Sequence, residues 1–216
     1  MLKILLYGHG KMGKMVEEII TEQDDMELVA IVSPSYNKSI YDITEAFDVI
    51  IDFSVPQAIC EIAQYSKAYK TPLVLAVTGY NDEQERIIAD LAEKVPVFRA
   101  ENLSYGIKIM KNLINTAMQY RYDDIEITET HHNRKKDAPS GTALSLADLI
   151  GENIPIHSLR LGNVAGGHIV SLAMGDELIT ISHTALSRRI FAQGALKAAR
   201  FITNCPPGIY GMDNIP

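Results

Sequence analysis

Apolar residues in the first half of the chain fall into short runs separated by stretches of helical period. Residues 2–7 (LKILLY) form an apolar run that stops at glycine, the pattern of a buried strand. From Lys11 the apolar positions are Met12, Met15, Val16, Ile19 and Ile20, spaced as one face of a helix. Residues 28–32 and 48–53 (DVIIDF) read as further strands. Ile59, Ile62 and Ala63 mark a helix, with Ser54 as its expected cap and Pro56 in its first turn. Residues 73–77 read as a strand, and Asn81 or Asp82 caps a helix carrying Ile87, Ile88, Leu91 and Ala92. Residues 95–98 close the series. Strands alternating with helices imply parallel pairing and right-handed crossovers. The expected fold class is therefore α/β, a Rossmann-like doubly wound parallel sheet.

After about residue 102 the texture changes. A helix carries Ile107, Met110, Leu113, Ile114 and Met118. Residues 124–130 (DIEITET) alternate polar and apolar, the period of a half-exposed strand. Three further strands are expected near 158–162, 168–174 and 178–183. Strands in succession suggest an antiparallel or mixed sheet, so a second, inserted α+β unit. A helix over 189–202, with Phe191, Leu196 and Ala199 on its apolar face, ends at NCPPG.

Composition narrows the class without naming a function. The chain of 216 residues is 47% hydrophobic and 22% charged, which excludes disorder. A net charge of −7 argues against nucleic acid as a partner. No apolar run approaches the roughly 20 residues of a membrane helix, and the N-terminus lacks the basic flank and cleavage site of a signal peptide. Cys60 and Cys205 fit neither a disulfide framework nor a metal site. A soluble, acidic, cytoplasmic protein is expected.

Gly8-His9-Gly10-Lys11-Met12-Gly13 reads GxGxxG, and here it follows a strand and opens a helix. Glycines let the backbone turn tightly against a pyrophosphate, and the helix start offers free N–H groups to the phosphates. The acidic residue expected at the end of the second strand, where NAD-dependent sites hold the ribose hydroxyl, is absent. Ser33 stands there, with Ser35 and Lys38 nearby. The reading leans weakly to NADPH, with use of both NADPH and NADH close behind.

The densest chemistry lies in ETHHNRKKDAPSGTA, residues 129–143. His131 and His132 point to opposite faces if the strand continues, so they should not share a role. A histidine is the natural proton donor near neutral pH. Lys135 follows in a basic run. Ser140, Gly141 and Thr142 open an apolar helix whose first N–H groups suit a carboxylate. The segment thus offers an acid, a cation and an anion-binding helix start. Adjacent histidines without a third ligand do not make a metal site.

The same segment resembles the 4-hydroxy-tetrahydrodipicolinate reductase (dihydrodipicolinate reductase) family. So do GHGKMG at 8–13, IDFSVP at 51–56, Ala76-Val77-Thr78-Gly79, Ala100-Glu101-Asn102-Leu103-Ser104, the stretch 182–201 and PGIYGM at 207–212. The resemblance covers nearly the whole chain. It implies that His131 is the proton donor and Lys135 the second catalytic residue, with His132, Gly141 and Thr142 as substrate contacts. It implies cofactor contacts at Gly8, His9, Gly10, Lys11, Met12, Gly13, Ala76, Val77, Thr78, Ala100, Glu101, Asn102 and Leu103, to which Ser33 is added by its place after the second strand. It further implies a dinucleotide domain of residues 1–102 plus 187–216, and a substrate and tetramerisation domain of residues 103–186. The reaction implied is NAD(P)H-dependent reduction of a small cyclic dicarboxylate in lysine and diaminopimelate biosynthesis, by a homotetramer without a metal. The chain departs from the family where Lys11 replaces a frequent Arg, Ala76-Val77 replace Gly-Thr, and Lys108 replaces a frequent Asn. Two other readings compete: a homoserine- or sugar-dehydrogenase-like oxidoreductase, and a dinucleotide-sensing protein without turnover.

Overall fold

A computed structural model describes residues 1–216. In chain order its elements are β1 (Leu2–Tyr7), α1 (Lys11–Ile20), β2 (Met26–Val32), β3 (Val49–Asp52), α2 (Ile59–Tyr69), β4 (Leu73–Leu75), α3 (Asp82–Ala92), β5 (Pro96–Arg99), α4 (Tyr105–Ala117), β6 (Asp124–His131), α5 (Gly141–Ile150), β7 (Ile156–Arg160), β8 (Gly166–Met174), β9 (Glu177–Ala185), α6 (Arg189–Ile202) and β10 (Gly208–Tyr210). They form two units, Met1–Leu103 with Phe191–Pro216, and Ser104–Ile190.

The first unit is built on a six-stranded parallel sheet in the order β10-β5-β4-β3-β1-β2. The chain winds from β1 to β2 in one direction and from β3 to β5 in the other, so the switch point lies at the carboxyl ends of β1 and β3. Strands covered on both faces must be apolar throughout. Leu5, Ile50, Leu73, Leu75 and Val97 accordingly pack with Ile59, Ile62, Ile88 and Leu91 from α2 and α3. The doubly wound α/β expectation holds.

Local details differ from the sequence reading. Asn81 is the cap of α3: its side chain accepts from Gln84 N at 2.9 Å and Gln84 returns the bond to Asn81 N at 2.9 Å. Ser54 does not cap α2. Its N–H and hydroxyl both donate to Asp52 Oδ1, at 2.9 and 2.5 Å. A single helical turn, Pro56–Ala58, precedes α2 instead. A buried carboxylate two residues upstream is the stronger acceptor, so it captures the hydroxyl. Burial pushes the Asp52 carboxyl up to about 6, against the two bonds from Ser54. β4 stops at Leu75 rather than Val77. β10 was not expected, because proline and glycine crowd a strand of three residues.

The second unit carries a four-stranded mixed sheet in the order β7-β6-β8-β9. β6 pairs parallel with β7 and antiparallel with β8, which pairs antiparallel with β9. Ile107, Met110 and Ile114 of α4 and Ala143 and Leu146 of α5 cover Ile125, Ile127, Val170 and Leu172. Leu113, one position off that stripe, is exposed rather than on the apolar face. Alternation along β6 buries Ile125, Ile127, Glu129 and His131 on one face. The apolar face of this strand thus runs directly into a carboxylate and a histidine. No helix is long and apolar enough to cross a membrane.

Candidate active site

In the first unit the glycine loop occupies the switch point. Gly8 has φ +94°, and a Cβ there would lie 2.7 Å from the Phe53 carbonyl and from Ser54 Cα. A Cβ on Gly13 would lie 2.2 Å from the Gly8 carbonyl oxygen. Both glycines are therefore demanded by backbone against backbone. Gly10 precedes α1 with open space where a side chain would go, and no side chain caps that helix start. Bare backbone at an uncapped helix start, with Lys11 exposed beside it, fits a pyrophosphate. A cavity of about 480 Å³ lies there, lined by Gly10, Lys11, Met12, Phe53, Ser54, Pro56, Ala76, Val77 and Thr78. Three expected loop residues and three expected residues that follow β4 thus share one cavity, and Phe53, Ser54 and Pro56 join them.

The other expected cofactor residues lie elsewhere in this unit. His9 Nε2 meets Glu17 Oε2 at 2.6 Å and its ring sits edge-on to Tyr36 at 4.8 Å, so the side chain is held by protein contacts. Ser33 follows β2 with its hydroxyl buried and unpartnered, while its backbone N–H donates to the Asn37 carbonyl at 2.9 Å. Residues 100–103 follow β5 and do not line the cavity. Leu103 is buried, and its carbonyl oxygen would lie 1.8 Å from a Cβ on Gly194.

Gly13→Ala is expected to weaken NADPH and NADH alike by roughly tenfold or more, about 1.4 kcal/mol per decade. The added methyl group must displace the Gly8 carbonyl that shapes the loop. Fluorescence titration of both dinucleotides checks this, and unchanged affinities would refute it.

In the second unit the chemistry gathers around Glu129. This side chain is wholly buried. Arg160, on β7, donates Nη1 to Oε2 at 3.0 Å and Nη2 to Oε1 at 2.9 Å, a two-pronged ion pair. His131 Nδ1 is hydrogen-bonded to Oε2. The Ser140 N–H donates to Oε1 at 3.2 Å. Burial would raise this carboxyl, but bonds from Arg160, His131 and Ser158 outweigh it and hold the carboxyl down to about 2. Behind this group lies His168 on β8, its ring 5.3 Å from that of His131 and its Nε2 3.3 Å from Ser140 Oγ. Burial, reinforced by the neighbouring His131, pushes His168 down to about 4, so it is neutral at pH 7. Gly166 leaves room for the His131 ring, since a Cβ there would lie 3.1 Å from Nε2.

The remaining predicted residues surround this centre. β6 ends at His131, so His132 lies just beyond it, its Nε2 3.1 Å from Arg188 Nη2. Burial together with the charges of Arg188 and Arg134 lowers its pKa. Lys135 Nζ is paired with Asp137 Oδ2 at 2.8 Å, so the expected cation has a partner within its own loop. Ser140 caps α5 by accepting from Ala143 N at 3.2 Å. Gly141 is exposed, with open space around it, and Thr142 follows it in the first turn. The helix start is therefore accessible to an anion.

Sequence reasoning missed Glu129, Arg160 and His168. Glu129 had a signal, because it stands two residues before His131 on an alternating strand and so shares its face. Arg160 had none, since it reaches Glu129 through β6–β7 pairing, 31 residues away in sequence. No group of three or more His, Cys, Asp or Glu is placed to hold a metal ion.

A glycine loop at the switch point of a doubly wound sheet, on a chain whose second unit gathers a carboxylate, an arginine and two histidines, fits the class of dinucleotide-dependent oxidoreductases. Family models narrow the class. Residues 2–103 match the model described as dihydrodipicolinate reductase, N-terminus, and residues 106–215 match dihydrodipicolinate reductase, C-terminus. The chain belongs to the dihydrodipicolinate reductase family. It is 37% identical over 247 residues to the 4-hydroxy-tetrahydrodipicolinate reductase of Caldanaerobacter subterraneus subsp. tengcongensis, covering 100% of this chain and 98% of the relative. It is 37% identical over 245 residues to the corresponding enzyme of Clostridium tetani, covering 99% and 96%. Among solved structures, the dipicolinate-bound dihydrodipicolinate reductase from Paenisporosarcina sp. TG-14 superposes with a TM-score of 0.83 at 26% identity, covering 100% of both chains.

Proposed function

We propose that the protein reduces 4-hydroxy-tetrahydrodipicolinate, or the dihydrodipicolinate derived from it, to tetrahydrodipicolinate in lysine (diaminopimelate) biosynthesis, with His131 as general acid. A reduced nicotinamide, when bound, would supply a hydride and become oxidised, adding it to the electron-poor conjugated imine left once the 4-hydroxyl has departed as water. Hydride addition leaves negative charge at the far end of that conjugated system, and His131 neutralises it with a proton. The observation that carries the reading is His131 itself: its ring ends β6 among charged partners, close to an open helix start, rather than among apolar side chains. Gly141 and Thr142 receive one substrate carboxylate through the first N–H groups of α5 and the Thr142 hydroxyl. Lys135 exchanges Asp137 for a substrate carboxylate or assists proton delivery, and His132 adds a further substrate contact. Gly8, Gly10, Lys11, Met12 and Gly13 hold the pyrophosphate, and Ala76, Val77 and Thr78 complete that side of the cavity. His9, Ser33, Ala100, Glu101, Asn102 and Leu103 complete the cofactor set.

The family likeness and the relatives' names support the reaction, and Ser33 in place of an acidic residue supports NADPH over NADH. The domain assignment follows the resemblance: residues 1–102 with 187–216 take the dinucleotide, and residues 103–186 take the substrate and form a cytoplasmic homotetramer. No metal enters the scheme. The test is to follow NADPH and NADH oxidation by absorbance with freshly generated pathway substrate. Oxidation that depends on that substrate is expected. Dinucleotide binding without oxidation of either would replace this reading by that of a dinucleotide sensor.

A further inference from the structure

We infer that Glu129 is the positioning residue of the site: its two carboxylate oxygens lock the proton donor and the carboxylate-binding helix start into a single register. The inference rests on the roles proposed above for His131 and the start of α5. One oxygen, Oε2, accepts from His131 Nδ1. That bond places the ring proton on Nδ1 in the neutral imidazole and leaves Nε2 as the nitrogen that exchanges a proton with substrate. The other oxygen, Oε1, accepts the Ser140 N–H at 3.2 Å. Ser140 is the cap of α5, directly before Gly141 and Thr142. A shift of this carboxylate therefore displaces the acid and the anion grip together.

The carboxylate cannot swing to favour one partner. Arg160 holds both oxygens from β7 and also donates to the Asp137 carbonyl at 2.5 Å, which ties in the loop between β6 and α5. Within β6, Glu129 and His131 are two residues apart and share a face, so the strand sets their spacing. The charged and titratable groups around His131 come from every neighbouring element. Glu129 lies on its own strand, Arg160 on β7 and His168 on β8; His183 on β9 acts on His168, and Lys135 stands in the following loop. The negative charge bonded to the ring is that of Glu129. Its second task is thus electrostatic: a fixed negative charge at Nδ1 selects the tautomer and the orientation of the ring.

Glu129→Gln keeps the shape of the side chain and removes the charge. The variant is expected to lose roughly tenfold or more in kcat, and nitrogen NMR of its neutral His131 ring is expected to show the Nδ1–H tautomer giving way to Nε2–H, because the uncharged amide no longer selects the proton on Nδ1. Its KM for substrate rises, and its dinucleotide affinity stays at the wild-type value. Wild-type kcat and an unchanged tautomer would overturn the inference while leaving the proposed reaction intact. Should the Gln variant not fold, Glu129→Asp carries the test, because it keeps the charge and shortens the reach. Reduced kcat with the Nδ1–H tautomer kept supports the inference, and full activity overturns it. Should the wild-type protein turn over no substrate, the proposed reaction fails by itself. Nitrogen NMR of His131 then still tests Glu129: an Nδ1–H tautomer in the neutral ring supports the link, and an Nε2–H tautomer refutes it.

Discussion

Turnover of a His131→Ala variant is expected to fall by roughly 10²–10⁴-fold, the usual worth of a positioned general acid. Hydride addition builds negative charge within the substrate, and without His131 that charge must wait for a proton from water. Dinucleotide affinity is expected to be unchanged, because the glycine loop lies in the other unit of the fold. The loss should fall on kcat more than on the KM for substrate, since the carboxylate grip at the start of α5 is untouched. Folding should survive. Glu129 loses one bond but keeps both prongs of Arg160 and the N–H of Ser140. Steady-state kinetics with each dinucleotide, together with a dinucleotide titration, checks all of these. Wild-type turnover in the variant would remove His131 from the reaction.

Arg160→Met is expected to cost about 3–5 kcal/mol of stability, the range for breaking one side of a buried ion pair. Methionine preserves most of the stem but leaves the Glu129 carboxylate buried without its counter-charge. The effect carries a pH signature. In the wild type the Glu129 carboxyl is held down to about 2, against an ordinary value of 4.5. Its contribution to stability is therefore present above the unfolded value and is lost as pH falls toward 2. Removing Arg160 removes that contribution, and protonation of Glu129 then relieves the variant in acid. The difference between wild type and variant should be largest near neutrality and should narrow as pH falls below 4.5. Denaturant melts at several pH values measure it, and a gap that stays constant with pH would refute the assignment.

Much of this architecture was legible in the chain. The run LKILLY, the helical spacing after Lys11 and the DVIIDF strand are signals that each element must show by itself, because burial on both faces or one selects residue type locally. The DIEITET alternation also set His131 and His132 on opposite faces, and the structure decided that His131 is the buried one. What could not be read were preferences decided by competition. Ser54 is a good helix cap by type, yet Asp52 captures its hydroxyl. Lys135 reads as a free cation, yet Asp137 neutralises it two residues on. β10 consists of three residues among prolines and glycines and becomes a strand only because the β5 edge offers it a partner.

The sequence by itself determined the alternation of strand and helix, the glycine loop, and the density of acid, cation and helix start in residues 129–143. Each depends on spacing over a few residues, where chain geometry leaves little freedom. Tertiary structure alone decided which groups share charge. Arg160 reaches Glu129 because β7 pairs parallel with β6, placing Arg160 opposite His131. His168 joins them because β8 pairs antiparallel on the other side, placing it opposite Glu129. Such pairings join residues far apart in the chain, and their energies depend on desolvation and distance that no local pattern encodes.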